Sequence, residues 1–398
     1  MNASSSKQLL EDGLRALVLG GAGAVCKETT RDLARTSAFE EIVVADGNLS
    51  AVDRLLEEIG DPRLKPQRFD ASDYGGMLKL FREYDIVVNG LPFKYDLAVN
   101  RACVEVGVDG LDLSSLEEQF GLHETAAEKN MIFVPGVGAT PGITNIMVAR
   151  AAEQLDRLES VEICFAAFRS LAPAPGLLTT TIWEFDPEEE ARKAVYFQDG
   201  DWRPAPPLSG EKHVLFHDII GEQRTYFVPH DEAFTLPRSY PTLRHASVRG
   251  CFTPPVMELM GALYHSGMLS LDTIQLDGRD VSASEAIRAL LLQNPASKQS
   301  RVWAYGLVVE VAGEQAGRKF LYRYRNHHPP QEQWGGESAY YKNVGLPLSI
   351  GAQMIANGEV NGRGVVPPEQ AFPVGPFIEA LAHRGITIEE TIEEFAAA

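Results

Sequence analysis

The chain has 398 residues, 44% of them apolar, which is enough to bury a sizeable core and suggests two domains or one domain with a large insertion. Its formal net charge of −19 disfavours binding to phosphate backbones, which requires clustered Lys and Arg, so no nucleic-acid partner is expected. No run of about 18 apolar residues occurs and the first residues lack a signal-peptide core, so we expect no membrane partner and a cytoplasmic protein.

The first third of the chain alternates short apolar runs with helical stretches, as a parallel sheet joined by crossover helices requires. This pattern predicts an α/β domain of the Rossmann type with a doubly wound parallel sheet. A weak additional strand precedes Phe69. The main predicted strands are 16–19, 42–45, 85–88, 108–111 and 131–134, and the predicted helices are 26–35, 50–59, 74–84, 95–106 and 116–130.

A second domain is predicted after a helix that begins near Pro141. Strands separated by Pro-rich loops follow, and two aromatic and β-branched runs around the turn 312–317 predict an antiparallel hairpin. Two further helices, beginning at Pro254 and after Ser282, are predicted to lie in the core. We therefore expect a Rossmann domain at 1–157, an inserted α+β domain built on a mainly antiparallel sheet at 158–335, and a segment at 336–398 that returns to the Rossmann domain.

A glycine-rich segment follows the first predicted strand and opens the first predicted helix. It fits the GxGxxG pattern with Cys26 in the third position, which only requires a small side chain. Gly21 would permit the tight turn and Gly23 would let the backbone approach a pyrophosphate, while Ala24 and Val25 lie where a helix N-terminus offers N–H groups to the anion. An ordinary turn between a strand and a helix, without a ligand, is the alternative.

The cofactor predicted for this segment is NAD. Asp46 ends the second strand about 20 residues after the glycines, where a carboxylate would bind the ribose diol. An acidic group repels a 2′-phosphate and no Arg directly follows it, so NADP is less favoured. Asp70, after the weak third strand, could meet the adenine ring or could only cap a turn.

Further candidate contacts with the cofactor lie at the same C-terminal edge of the sheet, where ligands gather in such folds. Asn89, Leu91 and Pro92 follow the fourth strand. Gly138 belongs to a loop, rich in Gly and Pro, that could bring the backbone close to the nicotinamide, although a plain domain-crossing turn would have the same sequence.

The sequence contains no nucleophile triad, metal cluster or phosphate-transfer motif, and hydride transfer requires none of these. His213 and His217 are four residues apart but lie in an alternating, strand-like run, so no metal site is predicted. The four cysteines have no CxxC spacing and are expected to be reduced thiols.

Candidate substrate-binding residues lie in two places. Arg244 and Arg249 could hold a substrate carboxylate bidentately, and His245 could exchange the proton as an ammonium becomes an imine. Arg244 could equally pair with a surface acid, and His245 could be structural. Asp112, which ends the fifth strand beside Ser114, could bind an amino group or order the nicotinamide carboxamide, or could only cap a helix.

The chain resembles the saccharopine dehydrogenase-like oxidoreductases nearly end to end, and most closely their lysine 6-dehydrogenase branch. The resemblance implies hydride transfer between the nicotinamide and the carbon of an imine, a small amine or amino-acid substrate, and a homodimer or homotetramer. After the Leu-Arg pair at 243–244, relatives usually have an aromatic-Pro-Gly segment, whereas this chain has His245-Ala246-Ser247, a departure that bears on substrate choice. The matching segments are 18–23, 109–114, 135–145, 199–208, 242–244 and 364–369.

Three functional hypotheses follow. The leading one is an NAD-dependent dehydrogenase that oxidatively deaminates an amino acid or amine, or reduces an imine. The closest alternative is a C–N-forming reductase of the saccharopine or carboxynorspermidine type. A catalytically silent dinucleotide-binding regulatory protein is the alternative from another class, and candidate carboxylate-binding arginines argue against it.

Overall fold

The computed structural model describes residues 13–186, 188, 195–270 and 272–395. The strands are β1 Arg15–Leu19, β2 Glu41–Asp46, β3 Leu64–Arg68, β4 Ile86–Asn89, β5 Asp109–Asp112, β6 Ile132–Val134, β7 Arg157–Phe168, β8 Tyr196–Gln198, β9 Asp201–Arg203, β10 Lys212–Leu215, β11 Glu222–Phe227, β12 His245–Phe252, β13 Thr273–Leu276, β14 Arg279–Ser282, β15 Ala304–Gln315, β16 Arg318–His327, β17 Gly364–Val365 and β18 Thr387–Phe395.

The helices are α1 Cys26–Thr36, α2 Leu49–Ile59, α3 Tyr74–Phe81, α4 Asp96–Val106, α5 Glu117–Phe120, α6 His123–Glu128, α7 Ile143–Ala152, α8 Pro175–Glu184, α9 Glu232–Ser239, α10 Pro254–His265, α11 Ala283–Gln293, α12 Gln331–Trp334, α13 Ser338–Ala356, α14 Pro368–Ala371 and α15 Val374–His383, with 3₁₀ turns at Phe93–Tyr95 and Pro295–Lys298. Among the described residues, no helix has both the length and the apolar character needed to cross a membrane.

The first compact unit comprises the chain up to residue 138 together with 344–377. Its seven strands are all parallel in the order β17-β6-β5-β4-β1-β2-β3, so the direction of strand addition reverses beside β1. Because helices cover a parallel sheet on both faces, its central strands are buried, and β1 buries all four residues from Ala16 to Leu19. The predicted Rossmann-type, doubly wound sheet is confirmed.

The second compact unit comprises residues 139–343 and the chain from 378 onwards. Its large sheet has the order β10-β11-β12-β7-β15-β16-β18, with β8 and β9 attached to β12. Among the described strands of this sheet, β12 pairs with β7 in parallel, and the other pairings are antiparallel. The predicted second domain with a mainly antiparallel sheet is therefore present. The hairpin formed by β15 and β16 has a two-residue turn at Ala316 and Gly317. Both residues have a positive φ, as such a turn requires.

The limits of these units differ from the boundaries expected at 157/158 and 335/336. Helix α7 packs against β7 and β15, so the second unit begins before that helix. The last strand, β18, pairs along its length with β16, so the chain after residue 378 joins the second unit and not the Rossmann unit. The first 12 residues of the expected Rossmann domain lie outside the described residues.

Some predicted helices also differ in extent or environment. The helix expected at 116–130 is two short helices, α5 and α6, and the helix expected at 74–84 ends at Phe81. The prediction that α10 and α11 are core helices is wrong in part. Val256 and Met260 are buried, but Leu259 is 39% exposed and Leu290 is 68% exposed.

Candidate dinucleotide site and buried polar cluster

The glycine-rich loop has the backbone geometry of a dinucleotide-binding turn. Gly20 has a φ of +66°, and the Gly23 amide donates to the Gly20 carbonyl at 2.9 Å. The tight turn therefore falls on Gly20. The sequence motif predicts it at Gly21, and that assignment is wrong by one residue. Gly21 is required for packing, because an added Cβ would lie 2.9 Å from Cγ1 of Val44.

The first helix begins where this loop would meet an anion. Its N-cap is Val25, and no side chain caps the helix. The first amides of a helix have no partner within the helix, so the segment from Ala24 onwards leaves N–H groups available to a pyrophosphate.

Cys26, the third position of the motif, packs against Gly90, which directly follows β4. Its side chain is 1% exposed, and a Cβ added to Gly90 would lie only 1.9 Å from its Sγ. Burial raises the pKa of the Cys26 thiol to about 12, so the thiol stays neutral. Cys26 therefore has a packing role. The motif usually has a glycine at this position, and here the larger Cys26 fits because its neighbour Gly90 has no side chain.

The end of β2 carries the predicted ribose-binding carboxylate. Asp46 accepts the Asn48 amide at 2.9 Å through Oδ1, which fixes its loop. Arg68, in β3, is its direct partner in the parallel register and is exposed. Asp70 is exposed and accepts from Ser72 through Oδ1, a hydrogen bond that lowers the pKa of Asp70. These bonds give Asp70 a part in forming its turn, and its predicted contact with the adenine ring stays a prediction.

The loops after β4 and β6 are held by buried polar side chains. Asn89 donates to Asp96 at 2.7 Å and accepts the Leu91 amide at 3.2 Å, so it fixes the loop that includes the exposed Pro92. Asp112, fully buried, accepts the Gly136 amide at 3.1 Å.

Asp112 also accepts from Gln119 of α5 at 2.7 Å, and its carbonyl accepts the Val137 amide at 2.7 Å. These bonds fix the loop that leads to the buried Gly138, whereas Ser114 is only half-buried. The geometry favours positioning roles for Asn89 and Asp112, and their assigned contacts with ligands stay predictions.

The second unit places the sequence-predicted residues His245 and Arg249 together in one polar network. His245 contacts Gln198 Oε1 through Nδ1 and Ser247 Oγ through Nε2, each at 2.9 Å. Arg249 donates to Ser247 Oγ at 3.0 Å and pairs with Glu162 at 3.1 Å. Burial lowers the pKa of His245, against the opposing effect of Glu162.

The network continues through alternating charges. Glu162 also pairs with Lys212, which pairs with Glu310 at 2.7 Å, and Glu310 pairs with Arg323 at 2.7 Å. A cavity of about 260 Å³ adjoins these residues, but its cations and carboxylates are paired with one another. Arg244 is exposed, outside this network. The arrangement favours structural roles for His245 and Arg249, and their functional roles stay predictions.

A second polar cluster lies on the opposite face of the same sheet. Side chains alternate along a strand, so Phe165 faces away from Glu162, and its ring lies 5.5 Å from that of His230. His230 Nδ1 contacts Glu232 Oε2 at 2.6 Å. The carboxylate of Glu232 is fully buried.

The hydroxyls of Thr140 and Thr144 donate to the other oxygen of Glu232, the latter at 2.7 Å. Burial opposes a charge on His230, but the Glu232 carboxylate outweighs it and raises the pKa of His230 to about 9. Burial likewise opposes the charge on Glu232, but the His230 cation lowers the pKa of Glu232 below its usual value. The pair is therefore a buried imidazolium and carboxylate at neutral pH.

Sequence reasoning missed this cluster, which we define as Arg169, His230, Glu232, Tyr305 and Tyr340. Tyr305 and Tyr340 have ring centroids 5.1 Å apart, and the Tyr340 ring lies 5.5 Å from the guanidinium of Arg169. One local signal was available, since Arg169 is a charged residue that directly follows the apolar second half of β7. Among the described residues, no group of three or more His, Cys, Asp or Glu side chains is arranged to hold a metal ion.

Comparisons with known proteins cover almost the whole chain. Residues 16–134 match the saccharopine dehydrogenase NADP binding domain, and residues 138–386 match the saccharopine dehydrogenase C-terminal domain. Carboxyaminopropylagmatine dehydrogenase of Synechocystis sp. is 25% identical over 401 residues, covering 94% of this chain and 97% of that protein.

Two further matches are with saccharopine dehydrogenases themselves. The NADP(+), L-glutamate-forming enzyme of Schizosaccharomyces pombe is 24% identical over 161 residues, covering 40% of this chain and 35% of that protein. The solved structure of apo saccharopine dehydrogenase (L-Glu forming) from Saccharomyces cerevisiae has a TM-score of 0.70 at 15% identity, covering 96% of this chain and 100% of that one, and shows a shared fold. The family resemblance and the fold class predicted from the sequence are confirmed.

Proposed function

Because this chain belongs to the saccharopine dehydrogenase family, we propose that it is an NAD(P)-dependent oxidoreductase acting on a C–N bond of a small amine or amino acid. The observation that carries the proposal is the glycine-rich loop. It combines the turn at Gly20, an uncapped helix start and the carboxylate of Asp46 at the end of the next strand.

The residues present fit a nicotinamide dinucleotide. When bound, that cofactor supplies the acceptor or donor of a hydride. The backbone of Gly21, Gly23, Ala24 and Val25 would hold the pyrophosphate, and Asp46 would hold the ribose. Contacts from Asp70, Leu91, Pro92 and Gly138, with Asn89 fixing the loop after β4, complete the proposed cofactor site.

We propose NAD as the preferred cofactor, because the Asp46 carboxylate would repel a 2′-phosphate. Arg68 is the residue that opposes this preference. It lies beside Asp46 in the neighbouring strand, where a guanidinium could attract that phosphate.

Two reactions are compatible with this chemistry. In the first, the substrate carbon loses a hydride and its nitrogen loses a proton, and water then converts the imine to a carbonyl compound and ammonia. In the second, run towards synthesis, an amine and a carbonyl compound lose water to form an imine, which gains a hydride and a proton to become a secondary amine. The near-full-length match with a carboxyaminopropylagmatine dehydrogenase supports the second reaction.

The test is a pair of absorbance assays at 340 nm. NADH formation is measured at alkaline pH over L-lysine, L-ornithine, other amino acids and polyamines, with NADP⁺ in parallel, and NADH consumption is measured with the same amines plus aldehydes. Activity on one amine alone would identify the deaminating reaction, and activity only with both organic substrates would identify the C–N-forming reaction.

Two glycine variants control the assay. Gly21→Ala should abolish cofactor binding because of its packing against Val44, whereas Gly375→Ala, which has no atom within 4 Å of its new Cβ, should not. Dinucleotide binding without turnover in either assay would contradict the proposal and favour a silent regulatory protein. Sizing of the wild-type chain in solution tests the expected homodimer or homotetramer.

A further inference from the structure

Arg169 is a buried guanidinium whose protein partners are all neutral. It is 2% exposed and directly follows β7. Nη1 donates to the carbonyls of Ser170 at 3.0 Å and Leu171 at 3.2 Å. Nη2 donates to the Leu177 carbonyl at 3.1 Å and the Thr181 hydroxyl at 2.6 Å. These bonds hold the guanidinium plane in place but supply no negative charge.

The same side chain retains one unused donor. Its Nε is buried and has no hydrogen-bond partner, and the hydroxyl of the adjacent Ser170 is likewise buried without one. Among the described residues, no carboxylate oxygen lies within 4.0 Å of the Arg169 guanidinium; the buried carboxylate of Glu184 is farther away, although it acts on the Tyr340 hydroxyl that Arg169 also contacts. A buried charge without a counter-ion is costly, so an anionic ligand at this place would stabilise it.

Aromatic rings connect the guanidinium to the buried acid–base pair. The guanidinium carbon of Arg169 lies 5.5 Å from the Tyr340 ring, and the Tyr340 and Tyr305 rings are 5.1 Å apart. Phe165 continues the row at 6.3 Å from Tyr305 and 5.5 Å from His230. The Phe165 ring can occupy this position because residue 250 is a glycine, where an added Cβ would lie 2.3 Å from the ring. The row thus has a cation at one end, an imidazolium–carboxylate pair at the other, and buried aromatic rings between them.

We propose that Arg169 Nε and the Ser170 hydroxyl bind a carboxylate of the substrate, with the aliphatic part of the substrate lying along the aromatic row. This inference rests on the proposed function and deepens it. It names the two residues by which this chain would distinguish an amine that carries a carboxylate from one that does not. A guanidinium and a hydroxyl form charge-assisted bonds that an uncharged amide cannot replace.

The experiment measures binding without turnover, so it is independent of the identity of the physiological substrate. The probes are 6-aminohexanoate and 6-aminohexanamide, which differ only in the carboxylate, titrated calorimetrically into the full chain with NADH present. Wild type should bind the carboxylate about tenfold or more tightly than the amide, as a charge-assisted bond predicts.

Three variants and one control locate the preference. Arg169→Gln should abolish it, Arg169→Lys should restore part of it, and Ser170→Ala, which removes no bond that holds the loop, should reduce it about threefold to tenfold. Arg238→Gln is the matched control, because Arg238 also lies over aromatic rings, 4.9 Å from Trp202, but is exposed, and this variant should keep the wild-type preference.

Circular dichroism checks that each variant is folded, and if Arg169→Gln is not, the Ser170→Ala ratio decides. Equal binding of the two probes by wild type, binding of neither, or an unchanged ratio in Ser170→Ala would overturn the proposal. Silence in the NADH assays together with an intact carboxylate preference would instead refute the proposed function alone.

Discussion

The packing of Cys26 against Gly90 makes a sharp prediction about the dinucleotide loop. In Gly90→Ala, the new Cβ would lie 1.9 Å from the Cys26 Sγ and 3.0 Å from its Cβ, so the helix must move. Overpacking of this kind costs about 1 to 3 kcal/mol of unfolding free energy. Because α1 carries the anion-binding amides, the same shift should weaken NADH binding.

The reasoning is tested by a double-mutant cycle. Cys26→Ala alone should cost about 1 kcal/mol, because it only leaves a small cavity. In the double variant the new methyl occupies the space of the missing sulfur, so the double variant should be more stable than Gly90→Ala, with a coupling energy of about 1 to 2 kcal/mol. Urea denaturation measures the stabilities, and quenching of protein fluorescence by NADH measures binding. Additive costs within about 0.3 kcal/mol, or unchanged NADH affinity in Gly90→Ala, would refute the proposed packing.

Three further predictions concern charges. Asp46→Asn should raise the ratio of kcat/KM with NADP⁺ to that with NAD⁺ about tenfold, and Arg68→Gln should lower it; an unchanged ratio in both variants would exclude them from the cofactor site. Burial, with a smaller effect of His328, lowers the pKa of His217 to about 4, so the stability that the neutral ring confers is complete above about pH 6.5 and is lost as the pH falls towards 4. Wild type should therefore lose up to about 3 kcal/mol more than His217→Gln over this interval in urea denaturation, and parallel pH profiles would contradict this. Glu232→Gln should cost about 3 to 5 kcal/mol because it leaves the His230 cation buried without its partner. The contribution of the wild-type pair should be complete between about pH 4.5 and pH 6.5, and be lost as the pH rises through about 9 or falls through the lowered pKa of Glu232; a thermal-melting profile that is flat above pH 7 would argue against it.

Local sequence patterns were sufficient to predict the Rossmann unit. The predicted strands of its sheet lie within a residue or so of those observed, because a parallel strand covered on both faces is an uninterrupted apolar run. The final strand was not predictable in this way. Residues Thr387–Phe395 carry four glutamates and become β18 because β16 offers cations opposite them, such as Arg323 to Glu393 at 2.8 Å and Arg318 to Glu394 at 3.0 Å. Those partners are far away in sequence, so no window around β18 contains the reason for its structure.

The residues of the candidate site likewise fall into those that local sequence predicts and those that it does not. The glycine loop and Asp46 are local features of one β-α-β unit, so spacing alone identified them. The glycine with the positive φ is Gly20 and not Gly21, and a Cβ at Gly20 would also lie 2.9 Å from the Gly90 carbonyl oxygen, a close approach between distant segments that motif spacing does not show. Arg169, Glu232 and Tyr305 come together only through the pairing of β7 with β15 and β12, which sequence spacing does not encode.

The choice between the two buried arginines shows what physical information was missing from the sequence. Arg249 and Arg169 both belong to apolar strands or their ends, and either could bind a carboxylate on composition alone. The strand register decides between them, because it places Arg249 3.1 Å from Glu162, whereas Arg169 receives only carbonyl and hydroxyl partners. A buried cation that is already paired gains little from an anionic ligand, and one that is solvated only by neutral dipoles gains much more. The unpaired charge, and not the presence of an arginine, is therefore the feature that marks Arg169 for a ligand.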